Sequence, residues 1–597
     1  MQSQKYIVNQ LQISAFLAFV KNGQIAIPEV QRPFVWDSTR VRDLMDSLYK
    51  GYPIGYVISW QNPNIKLKDG SLSQGKKILI DGQQRITALK AAILGDYVID
   101  KEYDRVKIKI AFNPLTEKFE VQNPAILKDK TWLPDISVVM TTESLIQTIN
   151  SYHKSNPEAD QSFVEKSISN LLSIQHKQIG VIELAYDLDI ETVTEIFIRI
   201  NSQGIVLSQA DFAMSKMAAN ETLGGPLLRK AIDYFCHLAV APQFFEHIVD
   251  NDKEFAATDY FSKMKWMKDE LDDLYDPDYT DMLRVAFSSQ YNRGKMSDLV
   301  SLLSGRNFET REFEETIAIE TYKKMQEGVM SFMDKTNFER FLMIIRAAGF
   351  IIPEMIRSKN AINFAYILFL RLRESNMSPD SIERLVRKWF VYSILTSRYG
   401  TSPESTIDFD IRQISTKPFA EYLDLVEKSD LSNSFWEGSF LQRLDTASSN
   451  SPFYHLFLAA MVKSQDKGFL SRDITVSELL LYRGDVHHLF PKNYLKKNGK
   501  SRSEYNQIAN YVLMQQEINI AIGSKPPSKY FSEIKEQCEG GKKKYGGIES
   551  ISELKENLQT HCIPASIFEM DIEHYDNYLE ERRVLIANKI KKYYKSL

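Results

Sequence analysis

Two adjacent histidines near the C-terminus constrain the fold of this chain more than any other feature. His487 and His488 lie in DVHHLFP (residues 485–491), and Asn510 and Asn519 follow. Because side chains alternate along an extended strand, the two imidazoles point to opposite sides. One can face a divalent metal while the other faces an attacking water, and an asparagine at a helix start can close the metal site with its amide oxygen. The pattern predicts strand, loop, strand and helix in that order, a ββα-metal arrangement.

The residues around the histidines support this order. Gly484 interrupts the chain before the first strand, and Pro491 ends it because proline cannot donate a hydrogen bond to a sheet. Polar residues 496–500 predict a loop, residues 510–514 the second strand, and residues 518–522 a short helix. Such a site is typical of HNH nucleases. The alternative is a pair of surface histidines beside two ordinary loop asparagines, and the combined pattern argues against it.

Composition is that of an ordinary globular protein. The chain has 597 residues, of which 43% are hydrophobic and 25% charged, so it has the length for about three or four domains. The formal net charge of −4 excludes a uniformly basic nucleic-acid coat protein. Any contact with DNA must therefore come from local basic patches.

Cysteine usage and hydropathy predict a soluble, cytoplasmic protein. The three cysteines are scattered and form no CxxC pair, which fits a reducing compartment. Residues 1–21 lack the basic start and the continuous apolar run of a signal peptide. The longest apolar stretch, residues 361–370, is too short to cross a membrane and predicts a buried helix.

A second polar pattern lies at a predicted strand-to-helix junction near the N-terminus. Residues 77–80 predict a short strand, DGQQR (residues 81–85) follows, and an apolar helical stripe comes next. Free backbone N–H groups at such a junction favour an anion, and Gly82 lets the backbone approach a ligand. Arg85 can hold a phosphate through two hydrogen bonds, while Asp81 can hold Mg²⁺ or a ribose hydroxyl. A polar turn explains the same residues equally well.

Two other N-terminal segments contain polar residues that can have either a binding role or a structural role. Arg32, among prolines and aromatic residues, can lie near a bound anion or pin its loop by packing. Ser208 and Asp211 predict a capping box, which leaves Arg199 and Asn201 unexplained. No GxxxxGK[ST] sequence occurs, so a nucleotide would bind this region without a P-loop. The basic, glycine-rich residues 540–547 can grip a phosphate backbone or form a solvated surface loop.

These motifs together resemble one family. The segments IPEVQRPFVW, IDGQQR and FIRINSQGIVLSQAD are similar to the N-terminal domain of GmrSD-type modification-dependent restriction endonucleases. VHHLFP with the two asparagines resembles the HNH domain that ends the same proteins, and SRYGTSPE (residues 397–404) resembles a segment of their helical middle. The resemblance covers both ends of the chain and part of the middle, in the family's order.

The resemblance implies a ParB/sulfiredoxin-like N-terminal domain that binds, and often hydrolyses, a nucleoside triphosphate (GTP, CTP, UTP or ATP). It also implies a nucleotide site, whose residues would be Gln31, Arg32, Asp81, Gly82, Gln83, Gln84, Arg85, Arg199, Asn201 and Asp211. In the HNH domain it implies His488 as general base, His487 and Asn519 as ligands of Mg²⁺ or Mn²⁺, and Asn510 as a residue that fixes the loop. Related sites often have Asp or Glu where this chain has His487, which leaves Ni²⁺ and Zn²⁺ open.

The expected architecture is an α+β multidomain protein. We expect a nucleotide-binding, DNA-sensing domain over residues 1–220, a mostly helical connector over 221–450 and the HNH domain over 451–597. Apolar stripes in the middle, such as Phe338, Phe341, Leu342 and Ile345 or Ile382, Leu385, Val386, Trp389 and Phe390, predict helix cores.

The expected function is antiphage restriction of double-stranded DNA, of phage origin or modified, without a membrane partner. Homo-oligomers and partner defence proteins stay open. One alternative is a nucleotide-switched DNA-binding regulator with a degenerate HNH domain, which the intact His487, His488 and Asn519 argue against. Another is an N-terminal domain that serves only as a DNA-binding scaffold, which the missing P-loop keeps open.

Overall fold

The computed structural model describes residues 5–26, 36–61, 77–99, 105–142, 144–185, 188, 208–269, 272–482 and 484–597. The chain forms two compact units. The first comprises Met1–Lys230 and Leu299–Tyr322, and the second comprises Ala231–Asp298 and Lys323–Leu597. The three domains expected from the sequence stay a prediction, because one compact unit can contain more than one domain. The expected mixture of helices and strands is present, and the described residues are mostly helical.

Strands and helices alternate in the N-terminal part of the chain. The described elements up to residue 240 are β1 (Tyr6–Gln12), α1 (Ile13–Lys21), β2 (Ile25–Ala26), α2 (Ser38–Tyr49), β3 (Tyr56–Gln61), β4 (Lys77–Asp81), α3 (Gln83–Leu89), β5 (Val98–Ile99), β6 (Arg105–Val106), β7 (Ile110–Asn113), β8 (Lys118–Val121), α4 (Ile136–Met140), α5 (Leu145–Ser155), α6 (Gln161–Leu172), β9 (Gln178–Leu184), α7 (Gln209–Ala219) and α8 (Gly225–Val240).

A five-stranded mixed sheet organises the first unit, with the strand order β1-β9-β3-β4-β2. The pairs β1–β9 and β3–β4 are antiparallel, while β3–β9 and β2–β4 are parallel. Helices α1, α2 and α3 contribute buried apolar residues to the core of this unit. The sheet places the end of β4, where the polar segment 81–85 begins, beside β3.

Local sequence rules explain the elements around that junction. Asp37 accepts a hydrogen bond from the backbone N–H of Arg40 and caps α2, whose apolar stripe is buried. The predicted strand is β4, and the stripe that follows it is buried in α3 and a π-helical turn over Lys90–Leu94. Gly95, with a φ of 69°, ends this turn in the left-handed conformation that glycine tolerates.

Helices make up the middle of the chain. The described elements from residue 245 to 443 are α9 (Phe245–Asn251), α10 (Lys253–Ala256), α11 (Asp259–Lys263), α12 (Tyr279–Gln290), α13 (Met296–Leu303), α14 (Glu315–Phe332), α15 (Lys335–Ala347), α16 (Lys359–Arg373), α17 (Pro379–Thr396), α18 (Pro403–Thr416), α19 (Phe419–Asp430) and α20 (Phe440–Arg443). The predicted apolar stripes are buried in α15 and α17, and the stretch 361–370 is a buried part of α16. No helix among the described residues is long and apolar enough to cross a membrane.

A buried ion pair explains part of the SRYGTSPE segment. Arg398 donates two hydrogen bonds, of 2.7 and 2.5 Å, to the carboxylate of Asp410, which has no exposed surface. The hydroxyls of Tyr399 and Tyr422 donate to the same carboxylate at 2.8 and 2.6 Å. Because the buried charge has four donors around it, this network is a structural element that fixes α17, α18 and α19 together.

The C-terminal part combines two short strands with helices. Its elements are α21 (Pro452–Lys463), α22 (Val476–Leu481), β10 (Asp485–His488), α23 (Lys492–Lys497), α24 (Arg502–Tyr505), β11 (Tyr511–Met514), α25 (Gln516–Ile522), α26 (Pro527–Cys538), α27 (Ile551–Thr560) and α28 (Tyr575–Lys595). Strands β10 and β11 are antiparallel, and α25 follows β11 directly. The predicted strands and the predicted short helix are therefore present in the predicted order.

The predicted loop over residues 496–500 is wrong at its start, because α23 continues to Lys497. Pro491, with a φ of −57°, precedes the first turn, where proline's missing N–H costs nothing. Leu495 is buried and anchors the helix in the core, while the lysines around it extend into solvent. Leu495, with the partly buried Tyr494 beside it, thus anchors this short lysine-rich helix.

Helix α28 ties the C-terminal part to the helical middle within the second unit. It packs against α21 and α17. The hydroxyl of Tyr593 donates to the backbone oxygen of Ala348, and Arg387 donates to the backbone oxygen of Leu597 at 3.0 Å. The guanidinium of Arg582, which is fully buried, donates to the backbone oxygen of Ala509 at 2.8 Å. One helix therefore contacts both the middle of the chain and the segment that precedes β11.

Candidate functional site

The strand pair β10–β11 positions the two histidines. His487 lies opposite Val512 and His488 opposite Tyr511 in the antiparallel register. Gly484 precedes β10 where the chain passes close to α22, because a Cβ atom there would lie 2.7 Å from Cβ of Leu479. The predicted break before the strand therefore has a steric cause, since no larger residue fits at this position.

His488 is held by a polar contact and two aromatic rings. Its Nε2 lies 2.9 Å from Oδ1 of Asn506. The rings of Tyr511 and Tyr505 meet its imidazole edge-on, with centroids 5.3 and 6.2 Å away. Burial lowers the pKa of His488 below its usual value of 6.5, and the nearby charge of Lys492 acts in the same direction. The imidazole is therefore neutral near pH 7.

The contact with Asn506 selects one tautomer of this imidazole. An amide oxygen only accepts hydrogen bonds, so Nε2 of His488 carries the hydrogen and donates it. Nδ1 is then the nitrogen with the free lone pair, which is the atom that can accept a proton. The arrangement can thus act as a base with a defined reacting atom.

Asn510 cross-links the segment after β10 to the segment before β11. Its Oδ1 accepts from the backbone N–H of Phe490 at 2.8 Å, and its Nδ2 donates to the backbone oxygens of Phe490 and Tyr505 at 3.1 and 3.2 Å. The residue has no exposed surface. Such an asparagine fixes the backbone around the histidines, and its buried amide is engaged in these three hydrogen bonds.

Asn519 and His487 are the remaining candidates for a metal site. Asn519 is half-buried in α25, one turn after its first residue, and His487 is half-buried on β10. An amide oxygen and an imidazole nitrogen are both ligands that divalent ions accept, so the donor chemistry fits. Among the described residues, no group of three or more His, Cys, Asp and Glu is placed to hold a metal.

The basic loop over residues 540–547 is pinned by one buried glutamine. Oε1 of Gln537 accepts from the backbone N–H groups of Lys544 and Tyr545 at 2.6 and 2.9 Å, and its Nε2 donates to the backbone oxygen of Ile548 at 2.8 Å. Lys543 and Lys544 form ion pairs with carboxylates. These contacts favour the solvated surface loop over the phosphate grip.

In the first unit, the residues that follow β4 form a tight polar turn. Gly82 has a φ of 90°, and a Cβ atom there would lie 2.5 Å from Cγ1 of Val57, so only glycine fits. Gln83 donates to the backbone oxygen of Leu79 at 3.0 Å, while Arg85 donates to that of Tyr56 at 2.8 Å.

Desolvation lowers the pKa of Arg85, and the charge of Asp81 opposes this effect. Gly82 lies between these two charged residues in the sequence. Gln84, between Gly82 and Arg85, is half-buried in the first turn of α3.

The other residues assigned to the nucleotide site are less informative. Asp211 accepts from the backbone N–H and the hydroxyl of Ser208 at 2.8 and 2.9 Å, which confirms the predicted capping box of α7. This role uses the carboxylate for helix capping. Four further candidates lie outside the described residues: Gln31, Arg32, Arg199 and Asn201.

Sequence reasoning missed three residues around the histidines. Asn506, Tyr505 and Lys492 contact or influence His488, although none of them belongs to the quoted motif. The spacing of 18 residues between His488 and Asn506 carries no periodic signal. Only Lys492 could have been noticed, as the first residue of a basic helix directly after the motif.

Comparisons with known proteins bear on the N-terminal part most directly. The uncharacterized protein MJ0686 of Methanocaldococcus jannaschii is 22% identical over 628 residues, an alignment that covers 95% of this chain and 96% of that protein. Residues 13–218, about a third of the chain, match the family model described as the GmrSD restriction endonuclease, N-terminal domain. This match supports the GmrSD-type resemblance that the N-terminal motifs indicated.

Proposed function

We propose that this chain is a restriction-type endonuclease that cuts phage or otherwise modified double-stranded DNA. The similarity of residues 13–218 to a restriction endonuclease domain supports this class of enzyme and makes DNA the expected substrate. The observation that carries the nuclease assignment is the held imidazole of His488, on a strand pair followed directly by α25. The proposed HNH centre uses this strand pair and helix.

In the proposed reaction His488 is the general base. Its neutral imidazole takes a proton from water through Nδ1, because Asn506 keeps Nε2 as a donor. Tyr511 and Tyr505 restrict rotation of the ring, and Asn510 fixes the backbone on which the ring is mounted. The activated water then attacks a phosphodiester, and the bond to the leaving oxygen breaks.

His487 and Asn519 are the proposed ligands of a divalent ion, Mg²⁺ or Mn²⁺, with other transition metals open. When bound, such an ion stabilises the negative charge that develops on the phosphate and the leaving oxygen. His487 is adjacent to the base on β10, and strand alternation directs it to the other face. This placement supports separate roles for the two histidines.

We also propose that the turn from Asp81 to Arg85 binds a nucleoside triphosphate, whose base stays open, and that this binding controls cutting. Support comes from the half-buried guanidinium of Arg85 beside a turn where only glycine fits at Gly82. An arginine in this setting can hold a phosphate, and the absent side chain leaves backbone N–H groups accessible.

The nuclease assignment is tested by cleavage of plasmid and phage DNA in Mg²⁺ or Mn²⁺, with and without nucleoside triphosphates. We expect wild-type protein to cut and His488→Ala to be inactive while its thermal unfolding is unchanged. His574→Ala is the matched control, because His574 is an exposed histidine that pairs with Asp571. Equal cutting by the His488→Ala protein would refute the assignment, and absence of cutting by wild type would favour the regulatory alternative.

The nucleotide assignment is tested separately, by binding of fluorescent triphosphates and by phosphate release. Arg85→Ala should lose both, whereas Arg42→Ala should retain them because Arg42 pairs with Asp43 and Glu120 on the surface of the same unit. Triphosphate binding without phosphate release would support a nucleotide switch and refute hydrolysis. Equal binding by the Arg85→Ala protein would refute the site.

A further inference from the structure

Helix α23 presents lysines whose charges are not neutralised. Lys492, Lys496 and Lys497 are exposed, and none of them lies within ion-pair distance of a carboxylate in the described part of the chain. Some other lysines of the C-terminal part do form ion pairs. Lys500 pairs with Asp576 at 2.9 Å, and Lys525 pairs with a carboxylate of α26 at the same distance. Three lysines of this kind therefore lie on one short helix of six residues.

Two of these lysines converge beside the proposed base. The ammonium groups of Lys492 and Lys496 lie 5.7 and 5.6 Å from the ring centroid of Tyr505. The same ring has its centroid 6.2 Å from that of His488. Residues four apart share one face of a helix, so both cations extend from one face of α23 around a ring that also contacts the imidazole.

The shared ring restricts where these charges can be. Tyr505 is buried and belongs to the core of the C-terminal part, so its ring is a fixed support. A cation attracted to an aromatic face spends less of its time extended into solvent than a free lysine does. The two positive charges are therefore held against a ring that also contacts the imidazole, and both lysine side chains remain exposed.

We propose that Lys492 and Lys496, on their support Tyr505, are the docking surface for the phosphates of duplex DNA next to the bond that is cut. This inference rests on the proposed nuclease function and adds the surface that holds its substrate. Lysine ammonium groups bind phosphates as point charges and release counterions, which favours a polyanion. The formal net charge of the chain is −4, so attraction to DNA requires a local surface of this kind.

The first test measures where DNA protects lysines from chemical acetylation. The full-length protein is acetylated in EDTA with and without saturating 30-base-pair duplex DNA, and each lysine is quantified by mass spectrometry. We expect DNA to reduce the modification of Lys492 and Lys496 at least threefold, and to leave that of Lys335 and Lys428 unchanged. The latter two pair with Glu339 and Asp424 on helices of the middle. Equal modification of Lys492 and Lys496 with and without DNA would overturn the proposal.

The second test measures affinity against salt. Fluorescence anisotropy in EDTA compares His488→Ala protein with the same protein carrying Lys492→Ala and Lys496→Ala, and with a control carrying Lys335→Ala and Lys428→Ala. Each lost phosphate contact lowers the slope of log K against log salt by about 0.9, so the double variant should lose about 1.8 units and bind at least tenfold more weakly near 0.1 M salt. An unchanged slope would contradict the proposal.

These tests separate this inference from the nuclease assignment. Protection of both lysines in a wild-type protein that does not cut would support the docking surface and refute the nuclease. DNA cleavage by the wild type without protection of the two lysines would support the nuclease and refute the docking surface. Tighter binding of an acidic peptide or of duplex RNA than of DNA at the same two lysines would overturn the choice of partner.

Discussion

Replacement of Asn510 with alanine should destabilise the second unit and inactivate the site together. The change removes the acceptor for the backbone N–H of Phe490 and the donor for the backbone oxygens of Phe490 and Tyr505. All three groups belong to the region around a residue with no exposed surface, so water cannot replace the amide without rearrangement. Each buried polar group left without its partner costs about 1–3 kcal/mol, so the three groups together cost roughly 3–9 kcal/mol.

That loss is a large part of the stability of a typical domain, which is about 5–15 kcal/mol. The assay is urea unfolding of wild type, Asn510→Ala and Asn510→Asp, followed by tryptophan fluorescence and circular dichroism. The aspartate keeps an acceptor for Phe490 and lacks the amide donor, and it adds a buried charge, so it should be no more stable than the alanine variant. Asn498→Ala, in an exposed turn after α23, is the control and should change stability by less than about 1 kcal/mol. A loss below about 1 kcal/mol in Asn510→Ala would refute the role assigned to this residue.

Four further changes test other parts of the structure. Asn506→Ala should lower the cleavage kcat at least tenfold, because Nε2 of His488 loses the acceptor that keeps the hydrogen on that nitrogen. KM and the unfolding midpoint should stay nearly unchanged, and a change in KM alone would contradict this role. Asp410→Ala should cost about 3–5 kcal/mol in urea unfolding, because it leaves the half-buried Arg398 with only the longer ion pair to Asp430, at 3.7 Å. A cost below about 1 kcal/mol would argue against the network. Gly82→Ala should lower stability by about 1–3 kcal/mol through strain at a φ of 90°, and an unchanged melting temperature would refute that reading. Burial lowers the pKa of His561 to about 3, so the unfolded chain binds a proton at a higher pH than the folded chain does. The free energy of unfolding therefore falls as the pH drops below about 6.5, by roughly 2 kcal/mol at pH 5. His561→Leu should reduce this fall in urea unfolding at pH 5 and 7.5, and an unchanged fall would exclude His561 as its source.

Sequence reasoning was sufficient where a local rule decides the structure. The spacing of apolar residues predicted α15 and α17, and the capping residues predicted the start of α7. Gly484 predicted the start of β10, although the strand ends at His488, before Pro491. Each of these patterns lies within or directly beside a single helix or strand, so the local sequence is enough to predict that element.

The rest depends on contacts between segments that are distant along the chain. Asn506 meets His488 across 18 residues, and Arg398 meets Asp410 across a turn between two helices. The start of the predicted loop was wrong because Leu495 is buried, and a local count of lysines does not show that. Tertiary packing decides these features, and the pattern of one segment does not reveal which partner it packs against.

The contacts of helix α28 mean that the C-terminal part cannot be exchanged as an independent module. A fragment that begins at residue 451 would keep the histidines and lose the middle helices on which Tyr593 and Leu597 make their contacts. Arg582 of the same helix donates to the backbone oxygen of Ala509, so a change that displaces α28 would also disturb the segment before β11. Evolutionary recombination near residue 450 would meet the same obstacle, since a grafted C-terminal segment would need the helices against which α28 packs.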